Sequence, residues 1–405
     1  MHLVETYATN CGLKIDHPYI LEKYFPLNME KYITINPYSK PAKTYDYWAD
    51  VIELIKPHLD RDGIKLLQIG GKNERVLPHC MSVAGQTNVN QVAYIIRNSM
   101  LHFGVDSFPI HIASSYNKKI VALYSSLHPQ NAGPYWGDKE NQVLLEPDRK
   151  GDKPSYSLEE WPKTINTIRP EKIAQAIIGL LGIESKFEHE TIFVGDSHIA
   201  TMLEIIPNHI ANHESIGVDN MIVRMDFEFN EQNLAQQLAL CPCSIVTNRP
   251  ISAEIVTKFK GRINEVVFML EKDTHSPDFV KLLYNNAIKC LLLSYESEKN
   301  IQDMKIHYMD YGVIGIKRAT EPEKIKELEG VDINNLFYKS SKLTLSNGKI
   351  YPSYAAVLED KPRDDGVMLP CPHAVDDLSK TIKPVINNEA FWKELEYFAL
   401  LKKSA

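Results

Sequence analysis

The sequence predicts an α/β protein of two domains, each a mostly parallel, doubly wound sheet. Three observations carry that expectation. Short buried runs alternate with stretches of helical spacing over 32–181 and again over 191–316, the pattern of parallel strands joined by helices that cover both faces. At 405 residues, 44% hydrophobic and 24% charged, the chain can bury two or three cores. The segment 182–190 fits a linker between the two series.

Residues 1–30 are polar and aromatic without clear period and read as an irregular lead-in or as an element docked on another part of the protein. Regular pattern starts with a strand at 32–35. A helix follows over 45–59, where Trp48, Val51, Ile52, Leu54 and Ile55 share a face. A buried strand at 64–69 ends in Gly70-Gly71. Then come a helix at 89–98, a strand at 100–105, a helix after Pro109 and a strand at 120–124. The charged, turn-rich stretch 146–157 reads as a loop on the site side of this sheet, and 170–181 supplies its last helix.

The second series has strands at 191–194, 221–224, 244–246, 265–270, 289–293 and 312–316. Asn347-Gly348 between two short apolar runs predicts a hairpin. The stretch 362–377 reads as a loop and 388–403 as an amphipathic terminal helix. The expected organisation is a lead-in at 1–30, a first domain at 31–185, a second at 186–345, and a hairpin, loop and helix at 346–405.

A net charge of -7 provides no bulk attraction to nucleic acid or to an anionic membrane. Six scattered cysteines lack the paired spacing of a zinc or redox motif and read as free thiols, so no metal site is expected. No basic leader followed by an apolar run opens the chain, and no apolar stretch reaches the length of a bilayer span; the expectation is a cytoplasmic protein.

Four segments carry candidate chemistry. After the first strand, Ser39, Lys40 and Lys43 put a hydroxyl and two ammonium groups where an anion would bind, against the bland reading of a solvated loop. Glu74, four residues after Gly70, suits the two hydroxyls of a ribose or ends a plain turn. Asp106 and Ser107 open a helix that carries His111 one turn on. They are either caps, or, with the helix amides, a phosphate site. In the second domain Asp196 reads equally as a general base or as the cap of a helix over 197–206, with His198 as a less favoured base. Ser197, in Gly195-Asp196-Ser197, could serve as a hydrolase nucleophile, yet no Asp stands three residues before a late histidine such as His373.

Taken in order, INPYSKPAKTYDYWADVIELI, KLLQIGGKNE, the run from Gly85 to Tyr135 and TINTIRPEKIAQAI resemble the nucleotide-sugar-binding domain of glycosyltransferase family 9, the heptosyltransferases, over 31–182. The resemblance implies a GT-B transferase with two Rossmann-like domains. It implies that Ser39 and Lys43 contact a donor diphosphate, that Glu74 lies near the nucleoside ribose, and that Asp106, Ser107 and His111 line the sugar-diphosphate site. The chain departs from the family in two ways. Phe108 stands where the family has glycine, and the nucleotide-sugar domain comes first rather than second.

The reaction expected from the resemblance is metal-independent, inverting transfer of a sugar from a nucleoside diphosphate to an acceptor hydroxyl. No cofactor is needed. The partners are a nucleotide sugar and a glycan, or a modified DNA base. Two rivals remain: an SGNH-like hydrolase or acyltransferase using Ser197, and a binding module that kept the fold without catalysis.

Overall fold

The computed structural model describes residues 1–149, 151–198, 202–212, 221–271, 276–316, 332, 335–340, 342–363 and 388–403. The chain divides between Thr191 and Ile192 into two units, each with its own sheet.

In unit 1, β1 (Tyr32–Asn36), β2 (Lys65–Gln68), β3 (Met81–Ser82), β4 (Leu101–Val105), β5 (Lys119–Leu123) and β6 (Gln142–Leu145) form one sheet in the order β3-β2-β1-β4-β5-β6. Every pairing is parallel, with Thr34 of β1 opposite His102 of β4. Strand order runs one way from β1 and the other way from β4, so the crevice beyond their carboxyl ends is the ligand-binding position of a doubly wound sheet. Gly104 lets the two strands close up there: a Cβ on it would lie 2.3 Å from the Asn36 carbonyl oxygen.

Helices cover both faces. Trp48 of α2 (Trp48–Arg61) meets Phe103 on one face, where α2 packs along α6 (Pro170–Leu181). On the other, Val92, Ile96 and Ile110 from α3 (Val89–Asn98) and α4 (Phe108–Ser115) cover Leu67, Ile120 and Tyr124. Asn88 and Gln91 begin α3 with a reciprocal capping box. The lead-in docks on this same face. After α1 (Leu3–Cys11), Ile20, Phe25, Leu27 and Met29 pack against the α3–α4 core, and Glu22 pairs with Arg97. A further short helix, α5 (Pro129–Ala132), follows β5.

Unit 2 is also a Rossmann-like α/β fold. Its main sheet has the order β13-β12-β11-β10-β9-β8-β15-β16. The strands are β8 (Met202–Ile205), β9 (Met221–Arg224), β10 (Cys243–Thr247), β11 (Ile263–Met269), β12 (Lys289–Ser294), β13 (Ile314–Ile316), β15 (Lys342–Ser346) and β16 (Lys349–Tyr351). All pair in parallel except β15 with β16. That pair is the expected hairpin, with Asn347 and Gly348 both at positive φ, 47° and 74°. A small sheet, β14 (Leu336–Ser340), β17 (Phe398–Lys403) and β7 (His189–Val194), stands apart from the main one.

Three expectations are corrected. The terminal stretch 388–403 is not one helix but a short helix at Glu389–Lys393, a 3-10 turn at Leu395–Tyr397 and strand β17. Its run Phe398-Ala399-Leu400-Leu401 is buried throughout as the central strand of the small sheet, and that pairing outweighs its helical spacing. The expected helix over 197–206 gives way to strand β8, a four-residue run held between β9 and β15. The strand expected to open the second main sheet, β7, belongs to the small sheet. The stretch 362–377 and His373 fall almost wholly outside the described residues.

Candidate functional site

The crevice of unit 1 is built from the turns after β1 and β4. Lys40 caps a 3-10 turn at Pro41–Lys43, and its carbonyl accepts from the amides of Lys43 (2.8 Å) and Thr44 (3.1 Å) and from the Thr44 hydroxyl (3.2 Å). The Thr44 hydroxyl in turn accepts from the Ser39 amide at 3.1 Å. So braced, the turn directs Lys43 to Asp106, with Nζ 2.5 Å from Oδ2 and little of either side chain exposed. The Ser39 hydroxyl donates to the Asp106 carbonyl at 3.5 Å. Asp106 is fixed from behind by its amide, which donates to the Leu123 carbonyl at 3.0 Å. The Lys40 side chain points into solvent.

Ser107 occupies the cap position of α4, yet its hydroxyl makes no capping bond. The bland reading of Ser107 as a side-chain cap therefore fails. His111 is half-buried on the same helix. Burial pushes its imidazole below the ordinary value, Asp106 pulls the other way, and His2 and Lys43 add to the depression. The four groups thus share one electrostatic neighbourhood. Phe108 is 49% exposed on the first turn of α4.

Glu74 folds back over the glycines that precede it. A Cβ on Gly70 would lie 1.9 Å from Glu74 Oε2, so only glycine leaves room for the carboxylate in this position. That oxygen is buried with no hydrogen-bond partner, and burial raises the carboxyl above its usual value. An orphaned acceptor beside the crevice is what a hydroxyl donor would satisfy.

Two groups escaped the sequence reading. Arg149, in the loop after β6, donates to the Ser125 carbonyl at 2.6 Å and to Glu146 at 2.8 Å, while its buried Nε has no partner. Ser125 donates to the Ala42 carbonyl at 2.6 Å, which ties this cation to the Pro41–Lys43 turn. The signal was an arginine in a loop leaving the same sheet edge. His2 lies 2.9 Å through Nε2 from the Gly133 carbonyl, and its ring centre is 4.9 Å from that of Tyr135 at a tilt of 49°. It had no motif to announce it.

The second-domain candidates sit differently. Gly195 is a packing glycine, since a Cβ there would lie 2.2 Å from the Glu396 carbonyl oxygen. The Ser197 amide donates to that same oxygen at 2.9 Å. His198 is 1% exposed, with its ring 3.4 Å from the Tyr397 carbonyl. Asp196 is exposed. A nucleophile elbow on the main sheet is not formed, because β7 lies outside it. Among the described residues no cluster of three or more His, Cys, Asp or Glu could hold a metal ion, and no helix is long and apolar enough to cross a membrane.

Residues 12–159, which hold β1 to β6 and every crevice group named above except His2, match the family model described as glycosyltransferase family 9 (heptosyltransferase). A lipooligosaccharide heptosyltransferase 2 from Haemophilus influenzae is 35% identical over 85 residues, 20% of this chain and 24% of its own length. The chain thus spans about a quarter of that curated relative. Among solved structures, a family 9 glycosyl transferase from Veillonella parvula is 21% identical over 44% of this chain and 49% of its own, with a TM-score of 0.31. The E. coli ADP-heptose LPS heptosyltransferase II is 18% identical over 44% and 50%, with a TM-score of 0.30.

Proposed function

We propose, from the premise that residues 12–159 form a glycosyltransferase family 9 domain, that the chain moves a sugar from a nucleoside-diphosphate sugar to a glycan hydroxyl. The observation that carries this reading is the meeting of Ser39, Lys43, Asp106, Ser107 and His111 at the one place where a doubly wound sheet holds its ligand.

The chemistry follows from the groups. A departing diphosphate needs positive charge and donors. Lys43 supplies the first, and the Ser39 and Ser107 hydroxyls with the opening amides of α4 supply the second. This arrangement calls for no metal ion. On binding, Lys43 exchanges Asp106 for the diphosphate, and Asp106 is left to accept from the sugar. Glu74 accepts from the ribose. Direct displacement with inversion is the proposed stereochemical course, and Asp196, exposed at its turn, is the proposed base for the acceptor hydroxyl.

Thermal shift against ADP-, UDP- and GDP-sugars, with and without EDTA, tests the reading. One nucleotide should raise the melting temperature equally in both conditions. Absence of any shift would overturn donor binding, and loss of the shift in EDTA would overturn metal independence. Full transfer by Asp196→Asn would remove Asp196 as the base.

A further inference from the structure

One face of the unit 2 sheet carries a cavity of about 740 Å3, lined only by residues of that unit and outside the matched segment. Strand parity builds it. Val223, Ile245, Val266, Phe268 and Leu292 turn towards the helices, whereas Ile222, Val246, Val267, Met269 and Leu293 turn the other way and form the cavity floor.

At one end lies an ionic network. Arg224 grips Asp226 through two bonds of 2.8 and 2.7 Å and Glu204 through a third of 2.6 Å. Lys342 reaches Glu204 at 2.9 Å and also pairs with Glu394. None of the five side chains is more than 14% exposed. The Arg224 guanidinium sits 3.6 Å from the centre of the Phe227 ring, which stacks on Tyr354 at 3.5 Å. Buried ion networks are often no more stable than apolar packing of the same volume. One such network of five side chains facing a cavity beside stacked rings therefore points to binding rather than to folding.

The charge of the wall selects the ligand. Seven carboxylates line the cavity against Arg224, Lys342 and Lys393, a net of -4. All three cations already hold carboxylates, Lys393 through Glu389 at 2.7 Å. Among the described residues of this wall, a phosphate would meet cations that are all held by carboxylates and a net negative field. An uncharged polyol is not repelled by that field. Its hydroxyls donate to carboxylates and exchange bonds with Asn248, while its C–H faces lie on Tyr295 and on the Val267–Met269 floor.

We infer that this cavity binds an uncharged saccharide, the acceptor of the transfer proposed above. The name acceptor rests on that reading; the binding does not.

The test is an array of neutral oligosaccharides, their phosphorylated counterparts and spermine, probed with the full chain and with two variants. Val267→Trp fills the floor, and Tyr295→Ala removes the ring at its edge. At least one neutral oligosaccharide should bind, and each variant should weaken it tenfold or more while the nucleotide-sugar thermal shift stays unchanged. Absence of neutral-glycan binding, stronger binding of phosphorylated glycans or spermine, or neutral-glycan binding untouched by both variants in a folded chain would overturn the inference. A neutral glycan that both variants lose, in a chain that no nucleotide sugar stabilises, would uphold the cavity and sink only the transfer reading.

Discussion

Lys43 and Asp106 form a pair in which each side chain compensates the other's burial, so a substitution at Lys43 has two consequences. Lys43→Ala should weaken donor binding by about 1.5–3 kcal/mol, the range for a hydrogen bond to a charged group, and should also lower stability by stranding Asp106. Calorimetric titration and urea unfolding on the same variant separate the two. Gly70 makes a subtler case. The atom that a new Cβ would strike is the tip of a flexible carboxylate, so Gly70→Ala should cost about 1 kcal/mol of stability or less. It should nonetheless displace Glu74 and weaken nucleoside-diphosphate binding as much as Glu74→Gln does, leaving inorganic diphosphate binding unchanged. Equal losses for both ligands would place Glu74 at the phosphates instead. These residues could be picked out as candidates because each directly follows a buried strand of one sheet, although each segment alone also fits a plain turn or loop. His2 and Arg149 could not, since their positions depend on chain folding back from far along the sequence.

At the scale of elements, the unused hydroxyl of Ser107 separates two roles that the sequence left open. A side-chain cap is worth about 1 kcal/mol. Because Ser107 makes no such bond, Ser107→Ala should change stability by less than about 0.5 kcal/mol while weakening donor binding severalfold. A stability loss near the full capping value, with donor affinity intact, would restore the bland reading. The strands of unit 1 were legible because each is a short buried run closed by a polar turn. Strand β17 was not: Phe398 to Leu401 suits helix and strand alike, and its partners lie some 60 residues and 200 residues away along the chain. The glycine of the Gly-Asp-Ser turn has a packing reason that is equally distant in sequence, since it answers to the backbone of Glu396.

For the molecule as a whole, acid should act partly through the centre of a sheet. His102 lies fully buried in β4, bonded through Nδ1 to the Thr34 hydroxyl at 2.9 Å, and burial pushes its pKa down to about 3. An unfolded histidine takes up its proton near 6.5. Between those values the unfolded chain binds more protons, so this contribution is fully present above about pH 6.5 and is lost on acidification at up to about 1.4 kcal/mol per pH unit. His102→Asn should therefore remove about 2 kcal/mol of the stability difference between pH 7 and pH 5 in urea unfolding; an unchanged difference would mean that His102 protonates in the folded state. The whole-molecule plan of two parallel α/β units could be read from alternation alone, whereas the sheet that β7 joins could not, because strand pairing is decided by distant segments. The Lys43–Asp106 pair also has a kinetic side. With the Lys43 cation already neutralised and a net charge of -7 on the chain, the crevice exerts little long-range attraction on an approaching anion. Donor capture should accordingly quicken slightly, not slow, as salt is added in stopped-flow measurements, making the site an ion exchanger that acts on arrival rather than a funnel that gathers from afar.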